Sequence, residues 1–258
     1  MTGVHTAGEH RFDSIYVDEA RALCHEVVAA RGETWLTVDE LSRVLNAFGL
    51  PVAPSAVVQS VAEAAATASI IGYPVVLKIA DESAARTRQS GRIRAQVSNE
   101  RAVASAFEEI TARCRSQGQS GARLAVVVQP LLPGVATVLG VVDGGSFGPL
   151  VAFALGSGDL EPVHDMALRR PPCTPRDADV LMQSVRCYPL LLGRPGVGPA
   201  DVDALREVIL RVSLLARLVR EVRELVLDQV MILPAGHGCR IIDARARVGP
   251  PATHNPAA

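Results

Sequence analysis

Gly72-Tyr73-Pro74-Val75-Val76-Leu77-Lys78-Ile79 is the stretch on which the reading of the fold turns. The alanine-rich run Glu63 to Ser69 ahead of it has the composition of a helix, and Gly72 and Pro74 break that helix. Val75 to Ile79 is then a short β-branched run of the kind that forms a buried strand. Lys78, near the strand's end, is the single lysine among 26 lysines and arginines, so this chain supplies positive charge elsewhere with arginine. A lysine stem packs along an apolar strand while its ammonium, a compact point charge, reaches into a cleft, which suits a nucleotide phosphate. The competing explanation is an edge lysine snorkelling into water, the commoner fate of a lone lysine.

Elements alternate on both sides of this segment. Upstream, Ser14 to Arg31 carries Ile15, Ala20, Leu23, Val27 and Val28 near helical spacing, with Gly32 as its stop. Thr37-x-x-Glu40 is a capping box ahead of Leu41, Val44, Leu45 and Phe48, and Gly49 ends that helix. Downstream, Arg92 to Val97 and Arg123 to Val128 read as strands flanking a helix over Glu100 to Arg115. From Val135 the pattern is richer in strands: Val135 to Val142 and Leu150 to Leu155 flank the turn Asp143-Gly144-Gly145. Helices follow over Arg176 to Val185 and Asp201 to Leu218, and Leu225 to Leu233 with Arg240 to Ala244 form a closing hairpin. The pattern predicts an α+β protein of two lobes meeting near Gln129 to Gly134. Its expected divisions are an N-terminal helical extension over 1–34, lobes over 35–126 and 127–250, and a disordered tail over 251–258.

Composition narrows the function. Acidic and basic residues nearly balance, at a formal net charge of -1, and they interleave, so no nucleic-acid footprint is expected. Hydrophobic residues make up 48%, yet the richest stretch, Leu124 to Val142, is interrupted by Gln129, Pro130, Pro133 and Gly134 and is no membrane span. The N-terminus has no apolar leader core, and the five cysteines form no Cys-x-x-Cys pair. Reduced thiols and a cytoplasmic location are expected, with small molecules and proteins as partners.

Asp228 and Asp243 fall on the two arms of the closing hairpin, where their carboxylates can face one another as the hard oxygen pair that magnesium takes. A pair of solvated strand-end acids is an equal alternative. Glu224, Val226 and Asp228 share a face by alternation, so an apolar side chain stands between two acids. The central glycines Gly140, Gly144, Gly145, Gly148, Gly156 and Gly158 are better explained as turns than as a phosphate cradle, and neither P-loop nor Rossmann spacing occurs. His164, beside Asp165, is a candidate phosphoacceptor or base, with a solvated loop histidine the blander choice.

Leu45-Asn46-Ala47-Phe48-Gly49-Leu50-Pro51 and the segment Ile71 to Lys78 together resemble the opening of the ATP-grasp domain of NDP-forming acyl-CoA synthetases, a family that includes ADP-forming acetate-CoA ligase and the succinyl-CoA synthetase β subunit. The likeness continues through Val127-Val128-Gln129-Pro130, Phe147-Gly148-Pro149-Leu150, Asp165, Arg169 and Asp243-Ala244-Arg245, over roughly residues 35 to 250. It implies an ATP-grasp fold with a nucleotide cleft between the lobes. Lys78 would meet the phosphates, Gln129, Pro130 and Leu131 the adenine edge, and Asp228 and Asp243 the magnesium. ATP and Mg2+ are the implied cofactors, and the CoA-binding Rossmann-type subunit that completes the reaction would be a separate partner. Departures from the pattern fall at the chemistry: the relay histidine position is Arg86, Gly-Gly-Val reads Gly91-Arg92-Ile93, the nucleotide-site glutamate is Ala136, and Glu-Leu-Asp-x-Asn-Pro reads Glu224-Leu225-Val226-Leu227-Asp228-Gln229. Arginine is permanently protonated and cannot pass on a phosphoryl group. Three functions are therefore expected in order: a catalytically weakened nucleotide-binding protein acting with or on a partner, an active β-type ligase subunit, and a structural pseudoenzyme without nucleotide. Oligomeric state is left open.

Overall fold

The computed structural model describes residues 16–79, 94–116, 125–156, 165–194 and 196–251. Two compact units emerge. Ala53–Leu132 forms the smaller, and the chain up to Val52 and from Pro133 onward forms the larger.

In the smaller unit, β2 (Ala56–Val58), α3 (Val61–Ile71), β3 (Val75–Ile79), β4 (Arg94–Val97), α4 (Arg101–Ser116) and β5 (Val126–Pro130) build an antiparallel sheet in the order β2-β5-β3-β4. The helix before the deciding strand starts at Ser60, whose hydroxyl accepts from Glu63 N at 3.2 Å, and ends at Gly72. Val75, Leu77, Val97, Val126 and Val128 put one sheet face against Ala64 and Ala68 of α3 and Val103, Ala106, Phe107 and Ile110 of α4.

In the larger unit, α1 (Val17–Arg31), β1 (Thr34–Trp35), α2 (Val38–Ala47), β6 (Val135–Asp143), β7 (Pro149–Leu155), β8 (Met166–Arg169), α5 (Pro175–Gln183), α6 (Val202–Leu218), β9 (Val222–Ile232) and β10 (Cys239–Val248) surround a second core. The sheet runs β1-β10-β9-β6-β7-β8, with all pairs antiparallel. Leu139, Val141, Val151, Phe153, Leu225, Leu227, Val230 and Ile232 line one face, against buried residues of the four helices.

This partition differs from the one expected at 34/35 and 126/127. Ala20, Leu23, Cys24 and Val27 place α1 in the larger unit's core, and β1 pairs with β10 through Thr34↔Val248 and Trp35↔Arg247. The N-terminal helices therefore belong with the C-terminal strands. The whole of β5 pairs with β3, from Val126↔Ile79 to Pro130↔Val75, which carries the smaller unit past residue 126.

The capping box forms as its spacing predicts, with Glu40 N donating to Thr37 Oγ1 at 3.3 Å and Thr37 N to Glu40 Oε2 at 2.8 Å. Gly49, at φ +62, turns the chain out of α2, and the space a Cβ would fill is taken by the Arg211 guanidinium. All five cysteines are free, and burial, reinforced by Glu221 and Glu40, pushes the Cys24 thiol up to about 12, where it is no nucleophile at neutral pH. No described helix is long and apolar enough to cross a membrane.

Asp201 ties α6 to the closing hairpin: Oδ1 accepts from Ala204 N at 3.0 Å and Oδ2 from Gly238 N at 2.8 Å. Burial raises its pKa, but those amides outweigh it and hold the carboxyl below the usual range. Asp201→Ala is expected to cost about 2 kcal/mol, a lost N-cap plus a lost charge-assisted bond, by urea denaturation of the full chain. Because the folded pKa is depressed, that contribution is present above the ordinary aspartate pKa and disappears as pH falls through the folded value. The difference between variant and wild type should therefore narrow in acid.

Candidate functional site

On the smaller unit the strand period decides which side chains face away from the helices. Val75 and Leu77 point into the core, so Val76 and Lys78 occupy the opposite face. Register brings Gln129 of β5 beside Val76 and Val127 beside Lys78, while Gln96 of β4 flanks Val76 on the other side. Lys78 and Gln129 thus share one sheet face. Lys78 is half-buried. Gln129 is only 5% exposed, and one polar atom of its side-chain amide has no hydrogen-bond partner. Leaving such a group unpaired costs about 1–3 kcal/mol, so it is a ready acceptor or donor for an ordered water or a ligand. Pro130 has no N–H, and Leu131 N donates to Pro74 O at 3.0 Å, so neither amide is available to a ligand. From Gln129 to Leu131 the Gln129 side chain and the backbone carbonyls are the polar groups that could recognise a ligand.

On the larger unit, β9 and β10 carry bulges that change which residues face outward. Thr137↔Val230 is followed by Leu139↔Leu227, which leaves one residue of β9 in excess at Asp228-Gln229. Between Ile241↔Val230 and Asp243↔Gln229 the excess falls on β10. Each bulge sets two successive residues on the face away from the core, and bulges of this kind re-aim side chains next to sites. Glu224, Val226, Asp228, Asp243, Arg245 and Arg247 consequently share that face, with Leu225, Leu227, Ala246 and Val248 on the core side. Asp243 pairs in register with Gln229, one residue from Asp228. A guanidinium nitrogen of Arg245 lies 3.6 Å from Asp228 Oδ1, and Arg247 binds Glu33 and, at 3.5 Å, Glu224. At the other end of the face Ala136 stands across from Met231, an apolar pair where the family pattern has a glutamate. Arg86, Arg92 and His164 lie outside the described residues.

A family model described as an ATP-grasp domain matches residues 27–248. The chain belongs to the ATP-grasp domain family. It is 30% identical over 222 residues to the β subunit of ADP-forming acetate-CoA ligase II of Pyrococcus furiosus, covering 85% of this chain and 94% of that subunit. It is 31% identical to the ADP-forming 4-hydroxybutyrate-CoA ligase of Nitrosopumilus maritimus, where the match covers 81% of this chain but 30% of the ligase. Among solved structures, acetyl-coenzyme A synthetase 1 of Ca. Korarchaeum cryptofilum, in complex with coenzyme A, Ca-AMPCP and HgCl+, superposes at a TM-score of 0.76 with 26% identity, over 89% of this chain and 99% of that one. This ATP-grasp domain is therefore related to the ATP-using β part of ADP-forming acyl-CoA synthetases, and that relationship implies use of ATP and magnesium.

The donor set of this ATP-grasp chain fits magnesium in one respect. Two carboxylates occupy adjoining register positions on one face, and magnesium usually takes one or two carboxylates, with water and phosphate oxygens completing its octahedron. Among the described residues no group of three or more histidine, cysteine, aspartate or glutamate side chains is placed to hold a metal unaided, so water or phosphate oxygens would have to complete the coordination. The sequence reading named Arg245 only within the motif Asp243-Ala244-Arg245 and gave it no role; it stands over Trp35 with its guanidinium carbon 5.9 Å from the ring centroid. The alternation of Asp243, Arg245 and Arg247 was the available signal, since period-two spacing places all three on one face.

Proposed function

We propose that this chain binds magnesium-ATP, with Lys78 at the phosphates, the Gln129 side chain at the base, and Asp228 and Asp243 at the metal, and that its catalysis is weakened. The observation that carries the assignment is the shared sheet face of Lys78 and Gln129: the single lysine of the chain on the same face as a buried amide with an unsatisfied polar atom. A fixed positive charge suits phosphate oxygens, and an unpaired amide suits the edge of a base. Magnesium would supply charge neutralisation of the phosphates, and the carboxylates of Asp228 and Asp243 would orient it.

Weakening is supported by Arg86 at the relay histidine position, Ala136 for the nucleotide-site glutamate and Val226 between two acids. A guanidinium has no free lone pair to take a phosphoryl group. The chain then acts in the cytosol with or on a partner, and the partner that fits is a separate CoA-binding subunit. A second reading, an active β-type subunit of an acid-CoA ligase, is favoured by one observation: this chain spans nearly all of the Pyrococcus β subunit.

Incubation with γ-labelled ATP separates the two. Weakened catalysis predicts no acid-labile phosphoprotein. A phosphohistidine, at His164 for instance, overturns it in favour of the active subunit.

A further inference from the structure

Arg245 occupies the centre of a row that crosses β1, β10 and β9. Trp35 lies directly across from Arg247, so its indole shares the outer face and stands on the diagonal to Arg245. The Arg245 guanidinium is 5.9 Å from the Trp35 ring centroid and 3.6 Å from Asp228 Oδ1. Directly opposite Arg245 on β9 is Val226, which offers no charge, and the guanidinium meets the carboxylate of Asp228, two residues on. With the Arg245 side chain 13% exposed and that of Asp228 29%, solvent and salt screen this pair less than an ordinary surface pair. Arginine suits the place because its planar guanidinium stacks on an indole while pairing with a carboxylate, which a lysine ammonium does less well.

We propose that Arg245 is a positioning residue of the β9–β10 carboxylate site: a resident counter-ion that holds Asp228 in the metal-free chain and sets how strongly a divalent cation must compete for it. The inference rests on the assignment of Asp228 and Asp243 to the metal. A divalent cation and a guanidinium on one carboxylate repel each other, so metal entry would push Arg245 away from Asp228 and change its contact with the Trp35 ring. Trp35 is the only tryptophan, so its emission reports that change.

The test uses the full chain without nucleotide. Free Mn2+ is counted by electron paramagnetic resonance during a titration, and Trp35 emission is followed in a parallel titration with Mg2+. Arg245→Met, which keeps apolar bulk against the indole, is expected to bind Mn2+ about tenfold tighter than wild type, a change of ~1.4 kcal/mol. Wild-type emission should change with saturation, and that change should be lost in Arg245→Met and in Asp228→Asn. Should Arg245→Met fail to fold, Arg245→Gln, which removes the charge but keeps a polar end, takes its place in the same titrations. Equal or weaker Mn2+ binding by Arg245→Met, or wild-type emission that stays constant while metal binds, overturns the role of Arg245. If wild type binds magnesium-ATP in calorimetry while that role fails, the nucleotide assignment survives; if neither protein binds Mn2+ or magnesium-ATP, both fall.

Discussion

Lys78→Ala is expected to weaken magnesium-ATP binding by about 100-fold, the upper range for loss of one charge-assisted contact of ~1.5–3 kcal/mol. The fold should survive, because Val75 and Leu77 make the core contacts of β3 and the ammonium end of Lys78 belongs to the other face. The thermal shift gives a direct readout. Nucleotide at about 100 times its Kd stabilises a folded chain by ~2.7 kcal/mol, and the variant at the same concentration should lose most of that increment. Lys78→Arg should fall between the two, since it keeps the charge but presents a broad fork where a point charge is wanted. A full thermal shift in Lys78→Ala would show that the lysine makes no contact with the nucleotide.

Replacing both Asp228 and Asp243 with asparagine should abolish the magnesium dependence of nucleotide binding. Asparagine keeps the shape and one oxygen but loses the charge that draws a hard cation, so affinity in magnesium should fall by about 100-fold, counting ~1.4 kcal/mol or more for each carboxylate. In EDTA, wild type and double variant should bind ATP equally weakly. Single variants are expected to be unequal: Asp228→Asn also removes the carboxylate beside Arg245 and leaves a half-buried guanidinium without that neighbour, whereas Asp243→Asn leaves the Arg245–Asp228 pair in place. Binding that is equally magnesium-dependent in all four proteins would place the metal elsewhere.

The placement of the candidate residues on the sheet faces was largely legible because strand alternation is local. Once Val75 to Ile79 is a strand whose valine and leucine face a core, Lys78 can only lie on the other side, and the antiparallel register then adds Gln129. The outer face of β9 and β10 was legible in part. Alternation alone groups Glu224, Val226 and Asp228, but the bulges come from pairing with neighbouring strands and are specified only weakly by either strand alone. One trace does exist in the sequence: Leu225 and Leu227 are followed by Val230 and Ile232, a step of three where two would keep the period. The allocation of α1, β1 and α2 to the larger unit was not legible. An apolar stripe on a helix states that the helix is buried and leaves open which distant strands bury it, and a two-residue strand such as Thr34–Trp35 is too short to carry a pattern. Arg245 was passed over for a related reason, since its partners Trp35 and Asp228 are far apart in the chain and meet only through β1 and β9.

Calorimetric titration of ATP into the wild-type chain, first with magnesium and then with EDTA, tests the nucleotide assignment most directly. One saturable site per chain that depends on the metal is the expected result; the absence of binding in both conditions would contradict it.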